Sequence, residues 1–134
     1  MNDLVVDHVA VAVHSLADAT PLYERMTGLS GSPVEELPSQ GVRVAFVGHL
    51  ELLEPTSPDT PVGRFLTRNG PGLHHIAYRT PDIRAELDRL AQAGFELVDA
   101  EPRPGAGGHL VAFLHPRTTG RVLVELVQQA DEAS

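Results

Sequence analysis

Apolar runs follow one another in the same order in the two halves of the chain. The first half predicts a strand, a helix and three more strands, at Leu4–Val13, Leu16–Met26, Val34–Leu37, Val42–Val47 and Leu50–Glu54. The second half predicts the same order, at His74–Arg79, Pro81–Ala93, Phe95–Val98, Val111–Leu114 and Val122–Val127. Ser15 is a suitable N-cap for the first helix, and Gly28 is a suitable residue to end it. The pattern therefore predicts two βαβββ modules.

A proline-rich connector separates the two modules. Pro55–Pro61 holds three prolines and is followed by a short predicted helix, about Val62–Arg68, whereas Pro102–Gly108 is predicted to be a loop. We therefore expect one domain, 1–134, with module one at about 4–55, the connector at about 56–72 and module two at about 73–128. The fold class expected from these elements is α+β, with a mostly antiparallel sheet.

Each half carries one histidine and one glutamate at matching places in its apolar runs. These are His8 and Glu51 in the first half, and His75 and Glu125 in the second. A carboxylate in an apolar strand is costly to bury unless it is paired or bound to a cation. Either histidine alone is more often a capped or hydrogen-bonded structural residue than a ligand, and the alternatives for a buried glutamate are an arginine partner or an edge strand. Together, two imidazoles and two carboxylates form a ligand set for Zn, Ni, Co or Mn.

Strand geometry distinguishes these residues from their neighbours. Successive side chains of a strand point to opposite faces, so His74 and His75 cannot both face one site. Superimposing the halves pairs His8 with His75, which makes His75 the candidate ligand. Glu51 and Glu54 also differ in parity, and only Glu51 has the same sequence context as Glu125. Glu54 is then expected to face solvent near the strand end.

Composition limits the classes of function. The chain has 42% hydrophobic and 21% charged residues, as in a globular protein, and no cysteine, so a metal would need N and O ligands. The formal net charge of -8 argues against a nucleic-acid partner and means that an anionic ligand would need local Arg contacts. No signal peptide or membrane-spanning run is evident, so we expect a cytoplasmic protein without a membrane partner.

At this point the chain resembles the vicinal oxygen chelate (glyoxalase/bleomycin resistance/dioxygenase) superfamily, and within it the methylmalonyl-CoA epimerase family. The segments that carry the likeness span Leu4 to Gln128: Asp7–Ala10, Ser39–Val42, Leu50–Thr56, Gly72–Ala77, Glu101–Gly105, Phe113–Pro116 and Val122–Leu126. The resemblance implies that the two modules form a curved sheet that cups a divalent metal, Co, Mn, Ni or Zn. It implies that the ligands are His8, Glu51, His75 and Glu125.

The resemblance also implies an isomerase whose substrate is a small acyl-CoA, and a homodimer. The implied reaction interconverts (R)- and (S)-methylmalonyl-CoA by 1,1-proton transfer through a metal-stabilised enolate. We expect Glu125 to be both ligand and acid/base, with Glu51 as the acid/base on the opposite face. Some family members have a glutamate, regarded as an acid/base group, where this chain has Val44. The two repeated glutamates would then act both as metal ligands and as acid/base groups.

Weaker hypotheses concern substrate contacts and other functions. Gln40, His115 and Arg103 are candidates to contact the substrate; His115 is as readily a turn cap, and Arg103 is a candidate for the CoA phosphates. The main alternative function is a glyoxalase I-type lactoylglutathione lyase, which uses the same ligands. A non-catalytic small-molecule-binding member is disfavoured because all four ligands are present. An iron dioxygenase is disfavoured by the second carboxylate.

Overall fold

The computed structural model describes residues 4–130. The strands are β1 (Val5–Ala12), β2 (Glu35–Leu37), β3 (Val42–Val47), β4 (Leu50–Pro55), β5 (Gly72–Arg79), β6 (Arg103–Pro104), β7 (Leu110–Leu114) and β8 (Val124–Gln128). The α-helices are α1 (Leu16–Thr27), α2 (Pro61–Asn69) and α3 (Ile83–Gln92). This order confirms the α+β class and the repeated β-α-β-β-β pattern.

The first compact unit is His8–His74. Its strand order is β2-β3-β4-β1, with β1 parallel to β4 and the other pairs antiparallel. One face of these strands packs on α1, through buried apolar side chains that include Val11, Val13, Leu16, Ala45, Val47 and Leu52. Burial of this cluster anchors α1, because each fully buried aliphatic side chain contributes about 1.5–3 kcal/mol. The opposite face of these strands carries a different set of side chains.

The second compact unit contains residues 4–7 and 75–130. Its strand order is β5-β8-β7-β6, with β5 parallel to β8 and the other pairs antiparallel. The core against α3 is made by Ile83, Leu87, Leu90, Ala112, Leu114 and Leu126. A smaller buried cluster of Ala77, Val111 and Val127 lies on the other face of these strands. In each unit two of the three strand pairings are antiparallel, as predicted.

The two strand-to-helix connections are capped in the same way. Ser15 accepts a hydrogen bond from the Asp18 amide, and Gly28, at a φ of 76°, ends α1 as predicted. The carboxylate of Glu54 accepts a hydrogen bond from the Leu16 amide at 2.8 Å. In the second unit the side chain of Gln128 accepts one from the Ile83 amide at 2.9 Å. Both acceptors satisfy an amide that the first turn of a helix leaves unpaired.

The prediction that Glu54 faces solvent is therefore wrong. Its side chain is 18% exposed, and its second oxygen accepts a hydrogen bond from Arg43 Nε at 2.7 Å. That hydrogen bond raises the pKa of the Arg43 guanidinium above its usual value. A charged acceptor at the N-terminus of α1 also interacts favourably with the helix dipole. Glu54 thus links β4 to α1 through a hydrogen bond and is mostly buried.

Two other predictions about strands need correction. Phe95–Val98 forms no extended strand; only Leu97 pairs there, in an isolated bridge with Leu114. The edge strand of the second unit is Arg103–Pro104, inside the segment predicted to be a loop. Within β1, Val5 and Val6 are about half exposed. None of the helices within residues 4–130 is long and apolar enough to cross a membrane.

Candidate functional site

The parallel pairing of β1 with β4 brings His8 and Glu51 together. Ala10 lies opposite Glu51 in the register, and His8 precedes Ala10 by two residues, so both side chains point to the same face. His8 Nε2 lies 3.2 Å from Glu51 Oε1. Both residues are buried, at 5% and 6% exposure. The polar face of the first unit therefore carries a buried imidazole–carboxylate pair.

The second unit repeats this arrangement through the parallel pairing of β5 with β8. Ala77 lies opposite Glu125, and His75 precedes Ala77 by two residues. His75 Nε2 lies 3.5 Å from Glu125 Oε1, and both residues are buried. Of the two adjacent histidines, it is His75, the one that strand parity selects, that lies beside Glu125. The structure pairs them within a module.

An aromatic ring accompanies each pair, and sequence reasoning missed both. Phe46 lies opposite Glu51 on β3, and Phe113 lies opposite Glu125 on β7. Each ring is edge-on to the histidine, with centroids 5.5 Å apart for His8 and Phe46 and an angle of 88° between the planes. A signal was available, because each phenylalanine holds the same hairpin position relative to its glutamate. These rings fix the orientation of the imidazoles.

The chemistry and spacing of each pair fit a divalent metal. Two ligands placed about 2.0–2.2 Å from one ion and at right angles to each other are about 3 Å apart. The 3.2 and 3.5 Å separations in the two pairs are close to that value. His8, Glu51 and His75 are buried side chains of the kinds that hold such an ion. The residues present therefore fit a metal bound through nitrogen and oxygen.

Three further residues lie near the two pairs in sequence. The ring of His74 lies edge-on to Phe65, with centroids 5.0 Å apart. His49 is exposed in the turn between β3 and β4. Val44 is 2% exposed and precedes Phe46 by two residues, so it lies on the face that carries Glu51. Val44 therefore places an apolar side chain on that face.

The three residues that are candidates to contact the substrate have different surroundings. Gln40 is half-buried in the 3-10 turn Pro38–Gln40 that precedes β3. His115 caps the turn after β7, where its Nδ1 accepts a hydrogen bond from the Arg117 amide at 3.0 Å. Two roles are predicted for His115, a turn cap and a substrate contact, and the structure shows the cap. Arg103 places its guanidinium carbon 5.8 Å from the ring centroid of Phe113, the residue that contacts His75.

Comparison with known proteins identifies the class to which this fold and these residues belong. The model of the Glyoxalase/Bleomycin resistance protein/Dioxygenase superfamily matches residues 7–113. An ethylmalonyl-CoA/methylmalonyl-CoA epimerase of Cereibacter sphaeroides is 41% identical over 130 residues, 92% of this chain and 96% of its own. The mitochondrial methylmalonyl-CoA epimerase of Homo sapiens is 38% identical over 92% of this chain and 73% of its own.

Solved structures agree with the sequence comparisons. A methylmalonyl-CoA epimerase of Streptomyces coelicolor in complex with 2-nitronate-propionyl-CoA has a TM-score of 0.91 and 36% identity, covering 96% of both chains. The chain belongs to the Glyoxalase/Bleomycin resistance protein/Dioxygenase superfamily. Its similarity to epimerases confirms the expected class of enzyme, an isomerase.

Proposed function

We propose that this protein interconverts (R)- and (S)-methylmalonyl-CoA by moving one proton at the carbon between the thioester and the carboxylate. The observation that carries the proposal is the buried His–Glu pair present in both modules. It occurs on a chain that is similar over 92% of its length to an epimerase named for ethyl- and methylmalonyl-CoA. A solved neighbour with a TM-score of 0.90 is a methylmalonyl-CoA epimerase in complex with methylmalonyl-CoA.

His8, Glu51, His75 and Glu125 are the proposed ligands of one divalent metal ion, Co, Mn, Ni or Zn. The support is the nitrogen and oxygen donor set, its burial and the spacing within each pair. When bound, the ion supplies Lewis-acid stabilisation of negative charge on oxygen, an effect of several kcal/mol. The second unit's apolar cluster of Ala77, Val111 and Val127 lies on the same face as Glu125 and keeps water away from it.

Glu125 and Glu51 are the proposed proton carriers. Inversion requires a base on one face of the planar intermediate and an acid on the other, and each module contributes one buried carboxylate. In both residues one carboxylate oxygen faces the paired histidine, and the carboxylate is the proposed group that takes or gives the proton. Val44 cannot exchange a proton, which leaves the two repeated glutamates to carry the reaction.

The proposal also covers the residues that contact the substrate, the oligomeric state and the location of the protein. Gln40 and His115 are proposed to contact the acyl-CoA, with Arg103 as a third contact. The chain is proposed to act as a single domain, residues 1–134, in a cytoplasmic homodimer. Sedimentation of the purified protein measures the oligomer directly, and a monomeric mass at the concentrations of the assay would contradict the dimer.

A glyoxalase I-type lyase is the second candidate, favoured by one residue. Some epimerases have glutamine where this chain has Glu51; glutamate also occurs among them, and it resembles glyoxalase I. Two substrates assayed side by side on one metal-loaded preparation separate the two functions: (2S)-methylmalonyl-CoA and the methylglyoxal–glutathione adduct. We expect turnover of (2S)-methylmalonyl-CoA. Turnover of the glutathione adduct alone would refute it in favour of the lyase.

A further inference from the structure

Arg103 lies on the same face of the second unit's sheet as the His75–Glu125 pair. On the edge strand β6, Arg103 lies opposite Val111, and Val111 and Phe113 are two residues apart on β7. Phe113 in turn lies opposite Glu125 on β8. Because opposite residues and residues two apart share a face, the strand register directs Arg103 to this face. The contact between the guanidinium and the ring of Phe113, at 5.8 Å, agrees with the register.

Asp99 holds this guanidinium from one side. Arg103 Nε lies 3.5 Å from Asp99 Oδ1, and the side chain of Asp99 is only 17% exposed. The other oxygen of Asp99 accepts a hydrogen bond from the Phe113 amide at 2.9 Å, and the Asp99 amide donates back to the Phe113 carbonyl. The carboxylate is thus fixed by the backbone of β7 and faces the arginine through Nε.

The outer edge of the guanidinium is available to a ligand. An arginine has five N–H donors in a planar fork, and Asp99 faces the one on Nε. Across residues 4–130, Asp99 is the one carboxylate within ion-pair distance of Arg103. The Nε atom is buried while the side chain as a whole is 37% exposed, so the exposed surface of Arg103 lies on its other atoms. This geometry suits bidentate binding of a carboxylate.

The equivalent position of the first module carries the opposite charge. Glu35 on the edge strand β2 lies opposite Val44, which precedes Phe46 by two residues, just as Val111 precedes Phe113. Glu35 therefore holds the register position in module one that Arg103 holds in module two. The position in module two therefore offers a cation to an anionic group, whereas the equivalent position in module one does not. On a chain with a net charge of -8, such a local cation decides where an anion binds.

We propose that Arg103 binds the free carboxylate of the malonyl group and so makes the site specific for thioesters of dicarboxylic acids. The inference rests on the proposed function and deepens it. It differs from a contact with the CoA phosphates, because a phosphate contact would serve every CoA thioester equally. A carboxylate contact distinguishes methylmalonyl-CoA from propionyl-CoA, which lacks that one group.

Calorimetric binding of these two thioesters to Arg103→Met tests the inference. We expect the variant to lose about 10- to 100-fold in affinity for methylmalonyl-CoA, as for a charge-assisted bidentate contact, and to keep its affinity for propionyl-CoA. Arg103→Lys, which retains the charge but not the fork, should lose less. The matched control is Arg84→Met, because Arg84 lies on α3, which packs on the opposite face of these strands, and its loss should leave both affinities unchanged.

The loss of Arg103 leaves the Asp99 carboxylate without its partner, so the comparison is repeated in an Asp99→Asn background, which keeps an acceptor for the Phe113 amide. An equal loss for both thioesters would overturn the inference in favour of the CoA moiety. Unchanged affinity for methylmalonyl-CoA in a folded Arg103→Met variant would overturn it as well. If wild-type protein epimerises methylmalonyl-CoA in either of these cases, the proposed function stands and only the role of Arg103 falls. If wild-type protein neither binds nor epimerises it, both fall.

Discussion

The ring of Phe113 lies at 88° to the ring of His75, with centroids 5.3 Å apart. Phe46 and His8 repeat this contact in the other module, so the repeated unit is a trio of phenylalanine, histidine and glutamate. An edge-to-face pair contributes about 0.5–1.5 kcal/mol beyond its buried area. The ring also limits rotation of the imidazole and keeps Nε2 directed at the glutamate. Metal binding by this trio should therefore depend on the aromatic residue.

Phe113→Leu should weaken metal binding without unfolding the protein. A hydrophobic replacement of similar size costs about 1.5 kcal/mol or less in stability, and loss of orientation should lower Co²⁺ affinity about 3- to 10-fold. The measurement is a Co²⁺ titration followed by absorption. Phe65→Leu is the matched control, because the ring of Phe65 is edge-on to His74 instead of His75. Equal Co²⁺ affinity in the two variants would contradict the orienting role.

Removal of either histidine should abolish stabilisation by metal. A ligand at 100 times its dissociation constant stabilises the folded state by about 2.7 kcal/mol, which is a rise in Tm of about 10 °C for a chain of this size. We expect this rise for wild-type protein and its loss in His8→Ala and in His75→Ala. The exposed His49 supplies the control variant, His49→Ala, which should keep the full rise. A rise that survives loss of His75 would remove that residue from the ligand set.

Glu51→Gln and Glu125→Gln should each affect one epimer selectively. If each carboxylate serves one face of the intermediate, each variant loses solvent exchange of the α-proton with one epimer and keeps it with the other. Epimerisation should fall by about 10²–10⁴-fold in both, as for loss of a general acid or base. NMR in D₂O with each pure epimer measures the exchange. Exchange of both epimers at the wild-type rate in either variant would exclude that glutamate as a proton carrier.

Glu54→Gln should be tolerated far better than Glu54→Ala. Glutamine keeps an oxygen for the Leu16 amide, and module two already uses Gln128 in this way. The glutamine variant loses only the charge that faces Arg43, whereas alanine leaves a helix amide without its acceptor, at a cost of about 1–2 kcal/mol. Urea unfolding of the two variants measures the difference. Equal destabilisation would show that the ion pair with Arg43, and not the cap, is the important contact.

The repeat and the strand parity could be predicted because they follow from local chemistry. A period of two in a strand decides which of His74 and His75 faces Glu125, whatever the rest of the chain does. Each histidine therefore lies beside its glutamate as the pattern indicates. That these four residues bind metal stays a prediction, which the experiments above address.

Contacts between distant segments could not be predicted in the same way. Parity predicts only that Glu54 faces away from Glu51; the packing of α1 on that side is a tertiary contact that the local pattern does not contain. Arg103–Pro104 lies among prolines and glycines that locally favour a loop, and only pairing with β7 makes it an edge strand. Phe95–Val98 has strand-like composition, but its side chains Phe95 and Leu97 pack onto the core beside α3.

The central claim is proton transfer at the α-carbon of methylmalonyl-CoA, and one measurement tests it most directly. Metal-loaded protein is incubated in D₂O with a single epimer of methylmalonyl-CoA, and the configuration and deuterium content at the α-carbon are followed together. The account predicts that the other epimer forms and that it carries deuterium at this carbon. Substrate that keeps both its configuration and its proton, with protein that turns over the glutathione adduct, would contradict the account.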